Sequence, residues 1–249
     1  METTRILNID ILRITEQALL EQMQEGVLYT PNIDHLVELQ QNVHLYNAYQ
    51  DAEWIVCDSR ILQLLSSLLP HKIPEAIPGS GFFTAFYHYH KNDPDCKIFL
   101  LGAAEGVAKK AQQEINRTIG REIVIGAHSP SYGFEKNEEE CRQLVDMVNA
   151  SGATVLVVGA GAPKQECWIH QYRHEMPSVK LFMALGATID FEAKTLKRAP
   201  AIWQKLRLEW LYRVIQEPRR LFHRYFVRDM KFFGYFFKQL IGRYNNPFK

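Results

Sequence analysis

The chain has 249 residues, of which 47% are hydrophobic and 23% are charged, and this globular composition excludes an intrinsically disordered chain. Its 29 Lys and Arg residues and 28 Asp and Glu residues leave a formal charge of +1. This balance argues against a globally basic nucleic-acid-binding protein, and we predict no nucleic-acid partner.

The near-zero charge is the sum of two parts of opposite sign. Residues 1–196 hold 16 basic and 25 acidic side chains, whereas residues 197–249 hold 13 basic and 3 acidic ones. The last 31 residues also contain 10 of the 29 aromatic side chains. We therefore predict two units: an α/β body over residues 1–196, and a basic, aromatic, helical appendage over residues 197–249 that meets an anionic surface or ligand.

Targeting signals and cysteine usage indicate the compartment. The first residues, METTRILNID, lack the apolar core of a signal peptide, and no window holds the roughly 18 apolar residues of a membrane-spanning helix. The four cysteines are scattered and form no CxxC pair. These features predict a cytoplasmic protein with reduced, mostly packed thiols and no zinc site.

Short β-branched runs alternate with amphipathic segments along the first 91 residues. Strands are predicted over residues 6–10, 26–30 and 54–57. Helices are predicted over residues 15–23, 33–46, 60–69 and 81–91. A loop rich in Pro and Gly covers residues 71–80.

From residue 97 the alternation becomes regular. Strands are predicted over residues 97–102, 122–127, 154–161 and 180–186, with helices over residues 106–119, 138–150 and 164–174. The strands are continuous apolar runs, as expected where helices cover both sheet faces. The pattern predicts an α/β fold with a Rossmann-like, mostly parallel sheet, helices on both faces and a C-terminal helical appendage. Ligands of such sheets bind beyond the carboxyl ends of the strands.

Two predicted strand ends in the first half carry polar side chains. Thr30-Pro31-Asn32 follows one strand, and capping of the next helix is sufficient to explain it. Asp58 follows the next strand, where it either caps the helix that begins near Arg60 or serves as a general base. The residues alone leave both alternatives open.

A glycine-rich loop, GAGAPKQECW, covers residues 159–168. Gly159 and Gly161 allow the backbone to approach a ligand, and the following helix offers its positive N-terminus. Because Lys164 occupies the third glycine position of the GxGxxG fingerprint, a nicotinamide or flavin enzyme is disfavoured. The triplet Asp93-Pro94-Asp95 precedes a strand and indicates a turn rather than a metal site.

These loops, taken in chain order, resemble the WecG/TagA/CpsF family of bacterial glycosyltransferases (glycosyltransferase family 26). The resemblance is collinear from residue 5 to residue 230. It rests on TPN at 30–32, the strand-end Asp58, Pro78-Gly79, LLGAAEGVA at 100–108, VVGAGAPKQECWI at 157–169, and the block at 184–225 that ends EWLYRVIQEPRRLFHRY. One departure is Ser59, because family members usually have Gly after the strand-end Asp.

The resemblance implies an inverting transfer of a sugar from a UDP-sugar to a polyprenyl-diphosphate-linked acceptor. The implied donors are UDP-N-acetylmannosamine, its uronic acid or UDP-glucose, with no metal or other cofactor. Family members serve cell-surface polysaccharide synthesis as peripheral proteins at the cytoplasmic face of the bacterial inner membrane. The family also implies self-association, so a homo-oligomer is expected.

By the same resemblance, Asp58 is the base that takes the proton of the acceptor hydroxyl. Substrate contacts are expected from seven residues of the body, namely Thr30, Asn32, Gly159, Gly161, Lys164, Gln165 and Glu166. Without a metal, fixed cations must stabilise the leaving UDP, and arginine binds phosphate oxygens in pairs. The tail supplies five such candidates, Arg198, Arg207, Arg213, Arg220 and Arg224.

The tail also predicts a contact with the membrane surface through residues 218–249. Arg220, Arg224 and Arg228 lie at four-residue spacing and share one helix face. A second face is aromatic and consists of Phe222, Tyr225, Phe226, Phe232, Phe233 and Phe236. Such a helix is typical of a membrane interface, and the alternative is a solvated basic stripe beside an ordinary core face. For the whole chain, the rival hypothesis is a non-catalytic nucleotide-sugar-binding membrane adaptor on the same fold.

Overall fold

The computed structural model describes residues 1–196 and 228–249, and a parallel sheet lies at its centre. Strands β1 (Thr3–Ile6) and β2 (Ile9–Leu12) form a separate antiparallel hairpin. The sheet contains β3 (Gly26–Tyr29), β4 (Trp54–Ile55), β5 (Ile98–Gly102), β6 (Val124–His128), β7 (Val155–Gly159) and β8 (Leu181–Ala184). Their order is β4-β3-β8-β7-β5-β6, and every neighbouring pair is parallel, which confirms the predicted sheet.

Helices cover both faces of this sheet, because the side chains of its strands alternate between two apolar clusters. Leu28 and Leu100 face one cluster, whereas their neighbours Tyr29 and Leu101 face the other. The first cluster is covered by α1 (Glu16–Gln22), α5 (Gly79–Tyr89), α6 (Val107–Ile119) and α9 (Thr188–Glu192). The second is covered by α2 (Ile33–Glu38), α3 (Val43–Gln50), α4 (Arg60–Leu65), α7 (Glu138–Ser151) and α8 (Lys164–Tyr172). Short 3₁₀ helices follow at Ser66–Leu68, Phe134–Lys136 and Arg173–Glu175.

Two predicted elements near the N-terminus are wrong. The strand predicted over residues 6–10 is interrupted by the turn between β1 and β2, in which Leu7 has φ of +52° and the buried Asn8 donates to Leu39 O at 2.6 Å. The helix predicted over residues 33–46 is two helices, because Asn42 accepts the Leu45 N–H and starts a new one. Neither break contains Gly or Pro, and an asparagine, Asn8 or Asn42, is the local signal at each.

The C-terminal helix α10 (Met230–Leu240) packs against the body beside α2. Phe232 and Phe236 lie in the core with 0% and 3% of their surface exposed. Gln239 accepts the Leu7 N–H and donates to Arg5 O, which attaches α10 to the hairpin. The prediction that Phe232 and Phe236 belong to a membrane-facing surface is therefore wrong, because these two rings fill the core.

The predicted boundary at residue 197 adjoins the range 197–227, which lies outside the described residues. Three residues of the predicted aromatic face, Phe222, Tyr225 and Phe226, fall in that range. Among the helices that are described on either side of it, none combines the length and apolarity needed to cross a bilayer.

Candidate active site

Four neighbouring strands bring the predicted polar residues to one edge of the sheet. Because β4, β3, β8 and β7 are parallel, their carboxyl ends lie together. Thr30 follows β3, Asp58 follows β4, and Gly161 and Gly186 follow β7 and β8. The sheet order therefore places loops that are far apart in sequence side by side.

Asp58 is partly exposed, and contacts on both sides of the chain fix its position. Its Oδ1 accepts the Gly79 N–H at 3.0 Å, and its own N–H donates to Pro31 O at 3.1 Å. The alternative that Asp58 caps α4 is wrong, because the cap is Ser59, whose hydroxyl accepts the Leu62 N–H. The serine that departs from the family pattern thus has a structural role, and the carboxylate lies at the start of α5 instead.

Gly79 allows α5 to begin against the ends of β3 and β8. A Cβ atom at this position would lie 3.1 Å from Thr30 Oγ1 and 3.0 Å from Leu185 Cδ2. The predicted helix began at residue 81, whereas the observed helix begins at Gly79 and includes this contact. Gly79 is thus a site residue that periodicity missed, although the Pro78-Gly79 pair was part of the family resemblance.

Asn32 caps α2. Its Oδ1 accepts the N–H groups of Asp34 and His35 at 3.0 and 3.4 Å, which confirms the capping interpretation of this loop. The Asn32 N–H in turn donates to His35 Nδ1 at 3.2 Å. Thr30, two residues earlier, is 9% exposed and adjoins Gly79. Substrate contacts from Thr30 and Asn32 stay predictions.

The glycines at the strand ends allow three backbones to pack closely. A Cβ at Gly159 would lie 2.7 Å from Gly186 O, and one at Gly102 would lie 2.5 Å from Gly159 O. Both distances are shorter than any side chain tolerates, so positions 102 and 159, at the ends of β5 and β7, require glycine. Gly161, with φ of +78°, continues the loop toward α8.

Gln165 joins the loops after β7 and β8. Its Oε1 accepts the Gly161 N–H at 3.1 Å and the Gly186 N–H at 3.0 Å, and its Nε2 donates to Glu166 Oε1 at 2.8 Å. Gln165 and Glu166 are 3% and 1% exposed, respectively. Glu166 is predicted to contact the substrate, but its side chain is almost fully buried in this structure.

Lys164, the first residue of α8, lies at the rim. Its Nζ is 3.6 Å from Glu135 Oε1 and 4.5 Å from the centre of the Tyr132 ring. Tyr132 is 99% exposed, so the cation and the ring lie at the surface of the loop after β6. Lys164 thus provides a positive charge at the carboxyl edge of the sheet.

Burial keeps the cysteines unreactive, as the packed-thiol prediction requires. It raises the pKa of the Cys57 thiol to about 12, although backbone hydrogen bonds at Ser59 and Gln63 act in the opposite direction. Burial also raises the pKa of Cys96 to about 12 and that of Cys167 to about 11. All four cysteines are free thiols. Cys57 adjoins Asp58, but as a neutral thiol it is not a nucleophile.

The predicted arginines lie largely outside the described residues. Arg198, Arg207, Arg213, Arg220 and Arg224 all fall within the range 197–227. Arg228 is described and pairs with Asp34 Oδ1 at 2.7 Å and Glu38 Oε2 at 3.3 Å on α2. The prediction that Arg228 shares a face with Arg220 and Arg224 is therefore not tested, but its partners lie on the body.

The acidic and metal-ligating side chains of the described residues are not clustered. Within residues 1–196 and 228–249, no three His, Cys, Asp or Glu side chains are grouped as a metal site would require. The Asp93-Pro94-Asp95 triplet is a turn before β5, in which Asp93 Oδ1 accepts the Asp95 N–H at 3.0 Å. The turn lies at the amino end of that strand, away from the loops that hold Asp58.

The chain also matches a known protein family. The model of the family described as "Glycosyl transferase WecG/TagA/CpsF family" matches residues 4–246, which is nearly the whole chain. The matched range includes the loops after β3, β4, β7 and β8 and most of the C-terminal segment. The chain therefore belongs to the WecG/TagA/CpsF family of glycosyl transferases, which act in cell-surface polysaccharide synthesis.

Proposed function

We propose that the protein is an inverting glycosyltransferase that uses a UDP-sugar donor and a polyprenyl-diphosphate-linked saccharide acceptor. The donor sugars we consider are N-acetylmannosamine, its uronic acid and glucose. The observation that carries the proposal is the Asp58 carboxylate, which the Gly79 N–H holds at the carboxyl edge of the sheet. Family membership supports sugar transfer, and the position of Asp58 supports a base-assisted displacement.

In the proposed reaction, Asp58 takes the proton of the acceptor hydroxyl as its oxygen attacks the anomeric carbon. The new bond joins that oxygen to the anomeric carbon, and the bond from this carbon to the phosphate oxygen breaks. UDP leaves with the electron pair, and the configuration at the anomeric carbon is inverted. A carboxylate that is held by a backbone N–H suits this role because its position is set before substrate binds.

Negative charge accumulates on the leaving diphosphate, and we propose that protein cations stabilise it without a metal ion. Lys164 lies at the N-terminus of α8, where the helix dipole also favours an anion. Arg198, Arg207, Arg213, Arg220 and Arg224 are the further candidates that the sequence supplies. Transfer is expected to continue in the presence of EDTA.

We further propose that the protein acts as a peripheral protein at the cytoplasmic face of the membrane. The outer side of α10 exposes an apolar stripe formed by Met230, Phe233, Phe237, Leu240 and Ile241. Lys231 and Lys238 are exposed on the same helix and are suited to anionic headgroups. Phe233 of the predicted aromatic face belongs to this stripe, whereas Phe232 and Phe236 point inward.

The rival proposal is a non-catalytic adaptor that binds nucleotide sugars at the membrane. A panel of UDP-sugars incubated with short-chain polyprenyl-diphosphate saccharides separates the two. We expect release of UDP that depends on both the acceptor and one of the donors. Binding of a UDP-sugar with no UDP release for any pair would favour the adaptor. Light scattering of the same samples tests the expected homo-oligomer.

A further inference from the structure

A partly buried chain of polar contacts connects the loop that contains Asn32 with the loop that contains Gln165. The Asn32 N–H donates to His35 Nδ1, and His35 Nε2 lies 3.5 Å from Glu166 Oε1. The same carboxylate oxygen accepts from Gln165 Nε2, whose amide oxygen is held by two backbone N–H groups. The chain thus runs from the end of β3 to the end of β7 through one carboxylate.

Donor and acceptor rules determine the direction of every contact in this chain. A carboxylate only accepts, so the Gln165 amide must turn its nitrogen toward Glu166 and its oxygen toward Gly161 and Gly186. His35 Nδ1 accepts a backbone N–H, so the ring proton is on Nε2, which faces Glu166. The orientation of the Gln165 amide is therefore set by Glu166 on one side and by two glycines on the other.

The burial of Glu166 points to a role for its charge. The side chain is 1% exposed, and its second oxygen, Oε2, has no hydrogen-bond partner within residues 1–196 and 228–249. An acidic side chain is rarely buried this deeply without several partners. A glutamine at this position would be less costly to bury but would also allow the Gln165 amide to turn over.

We propose that Glu166, supported by His35, is a positioning residue that holds the Gln165 amide with one Nε2 proton directed at the bound substrate. The amide carries two Nε2 protons, and Glu166 takes one of them. The other is left for an oxygen of the substrate. This inference rests on the proposed function, because it assigns Gln165 a substrate contact, and it differs from the expectation that Glu166 itself touches the substrate.

A double-mutant cycle tests the proposal with the transfer assay and the UDP-sugar that proves active. Glu166→Gln is expected to lower kcat/KM by up to about 100-fold, as small displacements of a positioned group do. In the Gln165→Ala background the same substitution is expected to change kcat/KM by less than about threefold, since a residue that acts through Gln165 has nothing left to position. Effects that multiply in the double variant would overturn the proposal.

Tyr29→Phe is the matched control, because the Tyr29 hydroxyl contacts the same residue but at its backbone, donating to Glu166 O at 3.0 Å. Its effect should multiply with that of Gln165→Ala instead of disappearing. If Glu166→Gln does not fold, His35→Asn removes the other support of the carboxylate and enters the same cycle. Disappearance of its effect in the Gln165→Ala background supports the proposal, and multiplication contradicts it.

A second readout does not depend on transfer. The side-chain amide signal of Gln165 in an NMR spectrum is identified by its absence from Gln165→Ala, and its hydrogen exchange is then measured. We expect slow exchange in the native protein and at least about tenfold faster exchange in Glu166→Gln, because the amide loses its fixed acceptor. Unchanged exchange would overturn the positioning role. Absence of transfer with every donor, alongside the expected exchange, would instead count against the proposed function alone.

Discussion

The carboxyl edge of the sheet and the C-terminal helix α10 hold their side chains in opposite ways. At the edge, the polar groups of Asp58 and Gln165 are fixed by backbone N–H groups from neighbouring loops. On α10, one side is buried in the core through Phe232, and the other exposes apolar side chains such as Phe237. Fixed polar groups suit chemistry, whereas an exposed apolar stripe suits contact with a surface.

This contrast leads to separable effects. Variants at the carboxyl edge should reduce transfer and leave membrane binding intact. Variants on the outer side of α10 should do the reverse, and variants on its inner side should reduce the stability of the whole protein. An outcome that mixes these effects would show that the two regions act as one.

Removal of the Asp58 carboxylate should have the largest effect. Asp58→Asn keeps the size of the side chain but cannot take a proton, so transfer should fall by about 10²- to 10⁴-fold. UDP binding, measured by calorimetry, should persist within about threefold. Asp10→Asn, an exposed acid paired with Arg5 on the hairpin, is the control and should leave transfer unchanged. Full activity in Asp58→Asn would remove this residue from the mechanism.

Truncation of the inward face of α10 should mainly affect stability. Phe232 is fully buried and stacks on Phe236 with ring centres 5.5 Å apart, so Phe232→Ala should lower the free energy of unfolding by about 3–5 kcal/mol. Urea unfolding measures this loss. Phe237→Ala, 61% exposed on the same helix, is the matched control and should change stability by less than about 0.5 kcal/mol. Equal losses would mean that α10 packs differently.

Truncation of the outward face should mainly affect lipid binding. Moving a Phe side chain from water into an apolar phase contributes roughly 1.5–3 kcal/mol. Phe237→Ala should therefore weaken binding to vesicles with anionic lipid by about tenfold or more, as measured by sedimentation with liposomes. The native protein should also bind less at high salt. Lipid binding that is unaffected both by Phe237→Ala and by salt would refute contact through this stripe.

The buried thiols should have no effect at neutral pH, and their effect appears only at high pH. In the folded body the pKa of Cys57 and of Cys96 is about 12, above the ordinary value of 9.0. Between these values the unfolded chain has lost the thiol protons while the folded chain keeps them. The free energy of unfolding should fall as pH rises above 9, by about 1.4 kcal/mol per thiol and pH unit. Urea titrations at pH 8 and 10 measure this slope, and Cys57→Ala should reduce it.

Much of the fold could be predicted because parallel strands between two helix layers are continuous apolar runs, such as residues 98–102 and 155–159. The breaks that were missed depend on tertiary contacts. Asn8 reaches Leu39, and Asn42 starts a helix within an otherwise regular pattern. Side chains that cap or turn the chain in this way leave no periodic signal in the sequence.

The candidate site could be predicted in its strand-end residues but not in its connections. Family blocks identify Asp58 and Gln165, yet the Gly79 N–H and the His35 ring join the site only through the fold. The prediction for Phe232 and Phe236 was wrong for a similar reason. The spacing of aromatic residues along a helix shows which of them share a face. It does not show whether that face packs in the core or lies at the surface.

The stereochemistry of transfer tests the central claim most directly. The native protein is incubated with the active UDP-sugar and the polyprenyl-diphosphate-linked acceptor, and the anomeric configuration of the first-formed product is determined by proton NMR. A single displacement with Asp58 as the base predicts a glycosidic bond of configuration opposite to that of the donor. Retention of the donor configuration would require a covalent or front-side route and would contradict the proposed role of Asp58.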